Sequence, residues 1–296
     1  MADVLPTPAP VIVGVDGSPP SRVALAWAAT HIDLFGSFLP LTTYRVDALG
    51  AGTGLARYYA TYLELLRDDA WRRLAESVEG LDSAGRSGAG QVHAGPPGPT
   101  LLRAVESGGH ELLVVGCRGR SAVAEALLGS VGSHCATHAT VPVIVVPAGA
   151  DTAKPIEHVV VGVDGSDNAQ AALRWTLDHV GPAATVTAIG CWSALPEAAA
   201  DARAVTGQED EARHQITATV EAVLGRLGPE RAEGPTVEID VRYGDPRQVL
   251  RVASEDADLL VVRARGHRGV PYLLLGSTAS SLLHHPLAPT AVIPDR

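Results

Sequence analysis

The segment Val11-Ile12-Val13-Gly14-Val15-Asp16-Gly17-Ser18 recurs as Val159-Val160-Val161-Gly162-Val163-Asp164-Gly165-Ser166, 148 residues further along the chain. A second segment, Leu112-Leu113-Val114-Val115, recurs as Leu259-Leu260-Val261-Val262 at an offset of 147 residues. The later matches keep the order and the 147-residue offset: Gly129-Ser130 with Gly276-Ser277, Val141-Pro142 with Ala288-Pro289, and Pro147 with Pro294. Such ordered matches at a long, nearly constant offset indicate a tandem duplication of one domain.

The duplication divides the 296 residues into two halves. We expect a first domain over residues 1–150 and a second over residues 151–296. The junction is predicted at Gly149–Pro155, because polar stretches bounded by glycine and proline are typical of linkers.

The composition indicates a folded protein that binds neither nucleic acid nor an anionic membrane. Apolar residues make up 46% of the chain and charged residues 19%, which is enough to fill two cores. The net charge of −10 opposes binding to polyanions, and an aromatic content of 4% provides few surfaces for stacking bases. A small anion site built locally remains compatible with these values.

The cysteines and the first residues favour a cytoplasmic protein. Cys117, Cys135 and Cys191 are odd in number and lack CxxC spacing, so they do not predict a disulfide framework. Residues 1–10 contain an aspartate and three prolines and do not resemble a signal peptide. No run reaches the roughly 18 apolar residues that a membrane span needs.

Strands and helices alternate along the first half. Val11–Val15 is a short apolar run with β-branched residues, which favours a buried strand. Ser18 is expected to cap a helix that has Pro19 in its first turn and continues through Val23–Ala29. The other expected elements are strands at Leu39–Tyr44, Gln91–Ala94, Leu112–Val115 and Val143–Val146, helices at Leu101–Val105 and after Ser130, and a long helix with Leu63, Leu66, Ala70, Leu74 and Val78 on one face.

The second half repeats this pattern, so the same fold is expected twice. Apolar strands separated by helices predict a parallel sheet covered on both faces, that is, an α/β doubly wound fold. Ligands of such sheets bind beyond the carboxyl ends of the strands, which places Asp16 and the segment after Val115 at the expected mouth. The buried face of the second long helix is expected to carry Ile216, Val220, Val223, Leu224 and Leu227.

A glycine-rich segment, G-x2-G-x9-G-S, follows the fourth strand and suggests an anion cradle. Gly116 and Gly119 allow a ligand to approach the backbone, and Gly129-Ser130 begins a helix whose amides and dipole favour phosphate. Arg118 and Arg120 make this loop locally basic. The alternative is that these residues form only turns and a helix cap. Neither a P-loop nor a GxGxxG fingerprint occurs in the chain.

Three motifs together resemble the universal stress protein family: the VGVDGS opening, the G-x2-G-x9-G-S segment and the closing Val141–Pro147. The resemblance covers both halves, as in tandem-domain members of that family. It implies a five-stranded parallel sheet of order 3-2-1-4-5 in each half, and ATP, with or without Mg²⁺, bound between the first and fourth strands. Asp16 would then meet the adenine end, and the glycines and Ser130 would hold the ribose and phosphates.

The implied nucleotide-binding residues fall into two sets, and no catalytic or metal-binding residue is assigned. They are Gly14, Asp16, Gly116, Arg118, Gly119, Arg120, Gly129, Ser130 and Val131 in the first half, and Gly162, Asp164, Arg263, Arg265, Gly266, Gly276, Ser277 and Thr278 in the second. The second half departs from the motif where Arg263 replaces the glycine equivalent to Gly116. A side chain there weakens binding if a positive φ or close ribose approach is needed, whereas a guanidinium that reaches the phosphates strengthens it.

Other candidate sites have simpler explanations. His134, Cys135 and His138 are residue types that bind zinc, but no second ligand cluster stands at matching spacing, so solvated or cap-proximal histidines are the favoured interpretation. Cys117 lies beside arginines that favour a thiolate. It is interpreted as a small buried residue, with a redox sensor as the alternative. The loops Asp47–Gly54 and Ser193–Gln208 are interpreted as surface loops, with a lid or a partner-binding segment as the alternative.

Three functions are compatible with these residues. The first is a regulatory ATP-binding protein that acts through nucleotide-dependent conformation or association. The second is an enzyme that hydrolyses ATP slowly or handles adenylate, although no nucleophile, base and acid set is recognisable. The third is a scaffold in which ligand binding is vestigial. Homodimer formation is left open by the sequence.

The strands Val143–Val146 and Thr290–Ile293 are expected at sheet edges, where an apolar strand is an aggregation hazard unless it is paired. We predict that these two edges pair antiparallel within one chain and give a pseudo-twofold arrangement. Cross-linking between cysteines introduced into the two segments should therefore be efficient and intramolecular. Cross-links that place the segments far apart would contradict this arrangement.

Overall fold

The computed structural model describes residues 11–46, 56–81, 90–117, 129–165, 169–193, 202–227, 234–265 and 275–294. The chain divides into two compact units, Met1–Ala153 and Lys154–Arg296, and each is described by itself. Among the described helices, none is both long and apolar enough to cross a membrane.

The first unit alternates strands and helices. Its elements are β1 (Val11–Gly14), α1 (Pro19–Thr30), α2 (Ile32–Phe35), β2 (Phe38–Tyr44), α3 (Ala56–Val78), β3 (Gln91–Ala94), α4 (Pro97–Gly108), β4 (Leu113–Gly116), α5 (Ser130–His138) and β5 (Val143–Val146). The strands are all parallel, in the order β3-β2-β1-β4-β5. Gly14 of β1 is level with Val115 of β4, so the two strands end side by side.

The second unit repeats this architecture. Its elements are β6 (His158–Val163), α6 (Ala169–His179), β7 (Thr185–Trp192), α7 (Ala202–Leu227), β8 (Thr236–Tyr243), α8 (Pro246–Ala253), β9 (Leu259–Arg263), α9 (Ser277–His284) and β10 (Thr290–Ile293). The parallel order is β8-β7-β6-β9-β10, which is again 3-2-1-4-5 within the unit. The α/β fold and its strand order are therefore confirmed in both halves.

The cores consist of central strands covered by helices. All four residues of β5 and of β10 are buried, and so are Val11–Val13 of β1. Ser18 caps α1 as expected, because its Oγ accepts the amide of Ser21 at 3.4 Å and Pro19 occupies the first turn.

One expected core residue lies at the surface. Leu224 of α7 is 42% exposed, whereas Ile216, Val220 and Val223 are buried. At 100° per residue Leu224 is displaced by about 80° from Ile216 around the helix, while Val220 and Val223 stay within about 40° of it. The buried stripe is therefore narrower than the apolar pattern predicted.

A buried carboxylate holds the first residues of the second unit. Asp258, which is 8% exposed, accepts the amides of Glu157 at 3.0 Å and His158 at 2.8 Å through Oδ2. Its Oδ1 lies 2.5 Å from Nζ of Lys154. Burial alone raises the pKa of Asp258, but the Lys154 ammonium and the two amides outweigh burial and lower it. The equivalent residue of the first half, Glu111, is exposed.

We predict that Asp258→Asn destabilises the protein by about 1–3 kcal/mol at pH 7, because a buried charged acceptor is lost. The folded-state pKa is below the unfolded value, so the stabilisation is complete above about pH 4 and is lost as the pH falls towards the folded-state value. Urea unfolding at pH 7 and below pH 4 should show the difference from wild type shrinking with acid. Glu111→Gln is the matched control, with an expected change within about 0.5 kcal/mol at both pH values.

Candidate functional site

Asp16 lies immediately beyond β1, at the carboxyl edge of the first sheet, and is half-buried. Its Oδ1 accepts the amide of Ser18 at 3.0 Å, and its own amide donates to Oγ of Ser21 at 3.3 Å. These two bonds fix the carboxylate at the start of α1. Because β1 and β4 end side by side, Asp16 and the residues after β4 share one end of the sheet.

The long helix α3 contributes a residue to this turn that the sequence analysis missed. Gly17 has φ +82°, and a Cβ built there would lie 3.3 Å from Cδ of Arg73. Arg73 forms an ion pair with Asp69, one helical turn earlier. The only sequence signal was this acid–base spacing, which does not reveal the loop that the side chain covers.

In the second half, a neutral side chain lies over the equivalent turn glycine. Gly165 has φ +73°, and a Cβ there would lie 3.4 Å from Cβ of Gln215 of α7. Nε2 of Gln215 donates to Oε1 of Glu211 at 2.7 Å, again one turn earlier. Asp164, the equivalent of Asp16, is exposed.

The end of β4 is joined to both β5 and α5. The amide of Cys117 donates to the carbonyl of Val146 at 2.9 Å, and the carbonyl of Cys117 accepts the amide of Gly129 at 2.7 Å. Gly129 is the N-cap of α5, and no described side chain caps this helix. The first amides of α5 therefore resemble an anion-binding helix terminus. Ser130 is exposed there and Val131 is half-buried.

The second half has the same backbone arrangement at the end of β9. The amide of Ala264 donates to the carbonyl of Ile293 at 2.8 Å, and its carbonyl accepts the amide of Gly276 at 2.7 Å. Gly276 caps α9 with nearly the same dihedral angles as Gly129 has, φ −60° and ψ 152° against −68° and 151°. At the start of α9, Ser277 is exposed and Thr278 is half-buried.

Some predicted site residues lie outside the described part of the chain. They are Arg118, Gly119, Arg120 and Gly266. Arg263 and Arg265 are described and half-buried at the carboxyl end of β9.

Gly116 has a packing role that the sequence did not reveal. A Cβ there would lie 2.6 Å from the carbonyl oxygen of Pro20 and 3.0 Å from the amide nitrogen of Ser21, so the backbone at the start of α1 fills that space. Gly116 is not among the described glycines with positive φ. The absent side chain thus allows α1 to approach β4, independently of any ligand.

Gly14 and Gly162 also lie where helices meet strands. A Cβ at Gly14 would lie 3.0 Å from Cδ1 of Leu101, and one at Gly162 would lie 2.9 Å from Cδ1 of Leu250. The contacts explain why these positions lack a side chain. Their expected contact with nucleotide stays a prediction.

The cysteines offer little reactivity. Cys135 is fully buried, and burial raises its pKa to about 12, so a thiolate ligand beside His134 and His138 is unfavourable. The described residues contain no group of three or more histidine, cysteine, aspartate or glutamate side chains placed to hold a metal. Cys117 is 2% exposed, which limits the access of an oxidant to it. Burial likewise raises the pKa of Cys191, to about 11.

Comparison with known proteins finds that both halves match the same family. A sequence model of the Universal stress protein family matches residues 9–147 and 155–294. Universal stress protein Rv2623 of Mycobacterium tuberculosis is 30% identical over 312 residues, covering 97% of this chain and 96% of the relative. Universal stress protein Rv1996 of the same organism is 29% identical over 301 residues, covering 95% of this chain and 94% of the relative.

One solved structure shares the fold over nearly the full length of the chain. The crystal structure of a universal stress protein from Archaeoglobus fulgidus superposes with a TM-score of 0.66 at 20% identity, covering 98% of this chain and 99% of that one. A family protein from Arabidopsis thaliana, solved with AMP bound, covers 47% of this chain and 92% of its own, with a TM-score of 0.33 at 19% identity.

We predict that Gly116→Ala destabilises the protein by about 1–3 kcal/mol, because the added methyl group meets backbone atoms that cannot rotate away. Gly149→Ala is the control, since a Cβ at Gly149 has nothing within 4 Å. Urea unfolding of the two variants measures the difference. Equal midpoints for the two would show that α1 does not constrain Gly116.

Proposed function

Because the chain belongs to the universal stress protein family, we propose that it binds an adenine nucleotide, ATP in the first instance, and acts as a regulator rather than an enzyme. The observation that carries the proposal is the start of α5, which no described side chain caps and which is held at the end of β4, at the same end of the sheet as Asp16. A phosphate group is the chemistry that such a terminus favours, because the amides and the helix dipole both present positive charge.

Asp16 is proposed to recognise the nucleoside end of the ligand. Its carboxylate is an acceptor held on the β1 side of the mouth by the amide of Ser18, and adenine and ribose both present donors. The cover of Arg73 over Gly17 supports the turn that carries Asp16. Phosphate at α5 and nucleoside at Asp16 place the ligand across the ends of β1 and β4, the position that doubly wound sheets favour.

The second half is proposed as a weaker or differently tuned site. Its backbone at Ala264 and Gly276 matches that of the first half, so an anion would find a similar helix terminus at α9. Arg263 replaces Gly116, and it adds a cation near the end of β9. Mg²⁺, if it accompanies ATP, would be held mainly by the phosphates, because it favours phosphate oxygens and water over protein cages.

A steady turnover of ATP that disappears in Asp16→Ala while binding is retained would favour the alternative of a slow ATP-hydrolysing enzyme. Failure of both halves to bind nucleotide would favour the scaffold.

We expect protein purified without added nucleotide to release adenine nucleotide when it is denatured, identified by chromatography and mass. About two molecules per chain would mean that both halves bind, and about one would assign binding to one half. No release, followed by no binding on titration, would overturn the proposal.

A charge at the start of α5 tests the site directly. Ser130→Asp places a carboxylate where phosphate is proposed, and we expect nucleotide affinity to fall at least about tenfold, equivalent to about 1.4 kcal/mol. Folding should not suffer, since an acidic residue in the first turn favours the helix dipole. Calorimetric titration measures the affinity.

Two matched variants complete this test. Ser133→Asp adds the same charge at an exposed position of α5 whose amide already donates to Gly129, so its effect should be smaller. Ser277→Asp in α9 reports the contribution of the second half. Equal affinities for Ser130→Asp and Ser133→Asp would contradict the placement of the phosphates.

A further inference from the structure

We propose that each half holds a cation at the carboxyl edge of its sheet that attracts the phosphates of a nucleotide, and that a different element supplies it in each half. In the first half the cation is Arg73 of the long helix α3, and in the second it is Arg263 at the end of β9. The exchanged positions are neutral: Gln215 lies on α7 of the second half, and Gly116 ends β4 of the first. This inference rests on the proposed nucleotide function and assigns the source of its selectivity for charged ligands.

Arg73 and Gln215 are equivalent by their contacts. Each covers the turn glycine of its half, with a side-chain atom 3.3 Å from a Cβ built at Gly17 in one case and 3.4 Å from a Cβ built at Gly165 in the other. Each side chain binds an acidic residue one helical turn earlier, and each backbone carbonyl accepts the hydroxyl of a residue one turn later. The packing is therefore alike, and the charge of the side chain is what differs.

The side chain of Arg73 is directed towards the carboxyl edge of the first sheet. α3 begins after the carboxyl end of β2 and ends before β3, which is parallel to β2, so the helix runs antiparallel to both strands. Side chains on a helix lean towards its N-terminus, which here lies at the edge that carries Asp16. The ion pair with Asp69, one turn nearer that edge, holds the guanidinium in this direction. Because the Arg73 side chain is only 17% exposed, solvent screens its charge incompletely.

The charge around Arg73 has the opposite sign to the charge around Gln215. In α3 one carboxylate, Asp69, pairs with both Arg72 and Arg73, so this turn is cationic. In α7 Glu211 accepts the neutral amide of Gln215, so the equivalent turn is anionic. The α3 turn therefore attracts a phosphate at the mouth of the first sheet, whereas the α7 turn does not favour one in the second.

Arg263 supplies the cation of the second half from the strand. A Cβ at the equivalent Gly116 would lie 2.6 Å from the carbonyl oxygen of Pro20 in α1, so a side chain at this position leaves the strand on the face covered by the first helix of its half. The long helix packs on the same face, since α1 contacts α3 and α6 contacts α7. Arg263 is half-buried, and it places a positive charge on the face where Gln215 provides none.

The test measures how affinity depends on the charge of the ligand. Nucleotide-free protein is titrated calorimetrically with ATP, AMP and adenosine, in the presence of Ser277→Asp so that the first half is measured alone. We expect Arg73→Gln, which keeps three carbons of the side chain over the turn, to weaken ATP binding at least about fivefold and AMP binding less. Adenosine binding should change by less than about twofold, because adenosine carries no charge. Arg73→Lys keeps the charge and should retain most of the ATP affinity.

Reciprocal variants test the second half, with Ser130→Asp present to disable the first. Arg263→Gln should weaken ATP binding with the same dependence on ligand charge, and Gln215→Arg added to it should restore the affinity. Arg72→Gln is the matched control in the first half, because Arg72 shares the partner Asp69 but its side chain is 67% exposed. Its effect on ATP binding should stay within about twofold.

Unchanged ATP affinity in Arg73→Gln, or an equal loss for ATP and adenosine, would overturn this inference while leaving the proposed function intact. Failure of Gln215→Arg to restore binding would also overturn it. Absence of ATP binding in the unmodified protein would overturn the proposed function, and this inference with it. Urea unfolding midpoints of the variants verify that a loss of affinity does not come from a loss of folding.

Discussion

The hydrogen bonds of Cys117 are the constraint on which the candidate site depends. One residue after β4, its amide is bound to β5 and its carbonyl to Gly129, the cap of α5. These bonds place the start of α5 at the end of β4, the strand that precedes it in the chain. Among the described residues, the α5 side of the candidate site is therefore built from backbone groups.

The same backbone constraint operates at Ala264 of the second half, while the side chains around it have diverged. Arg73 covers the turn glycine in one half and Gln215 covers it in the other. Gly116 gives way to Arg263. Duplication has thus preserved the hydrogen-bonded frame and varied the charges beside it, which allows the two halves to differ in ligand affinity without a change of fold.

Local signals in the sequence were sufficient for most of the fold. The bounds of β5 and β10 were predicted to the residue, because each is a short apolar run between prolines or other breakers. The cap at Ser18 was likewise readable from its following prolines. Leu224 was misplaced because apolar character alone does not define the width of a buried helical face.

The site was only partly predictable because several of its determinants are contacts between residues distant in sequence. Arg73 covers Gly17 from a helix more than fifty residues away, and neither residue type specifies the other. A Cβ at Gly116 would meet backbone atoms of α1, a packing role that the residue type did not reveal, and its expected contact with a ligand stays a prediction. Spacing and residue type placed Asp16 and the residues after β4 at the same end of the sheet, as the structure has them, whereas the packing around them required three-dimensional information.

The ion pair and hydrogen bonds of Asp258 give the segment Lys154–His158 a role in folding. A gene fragment beginning at Val159 would encode nearly every residue of the second sheet and its helices, yet it would leave a buried carboxylate without Lys154 and without the amides of Glu157 and His158. An unsatisfied buried charge costs several kcal/mol. A fragment of the second half should therefore begin at or before Lys154 if Asp258 is to keep its partners.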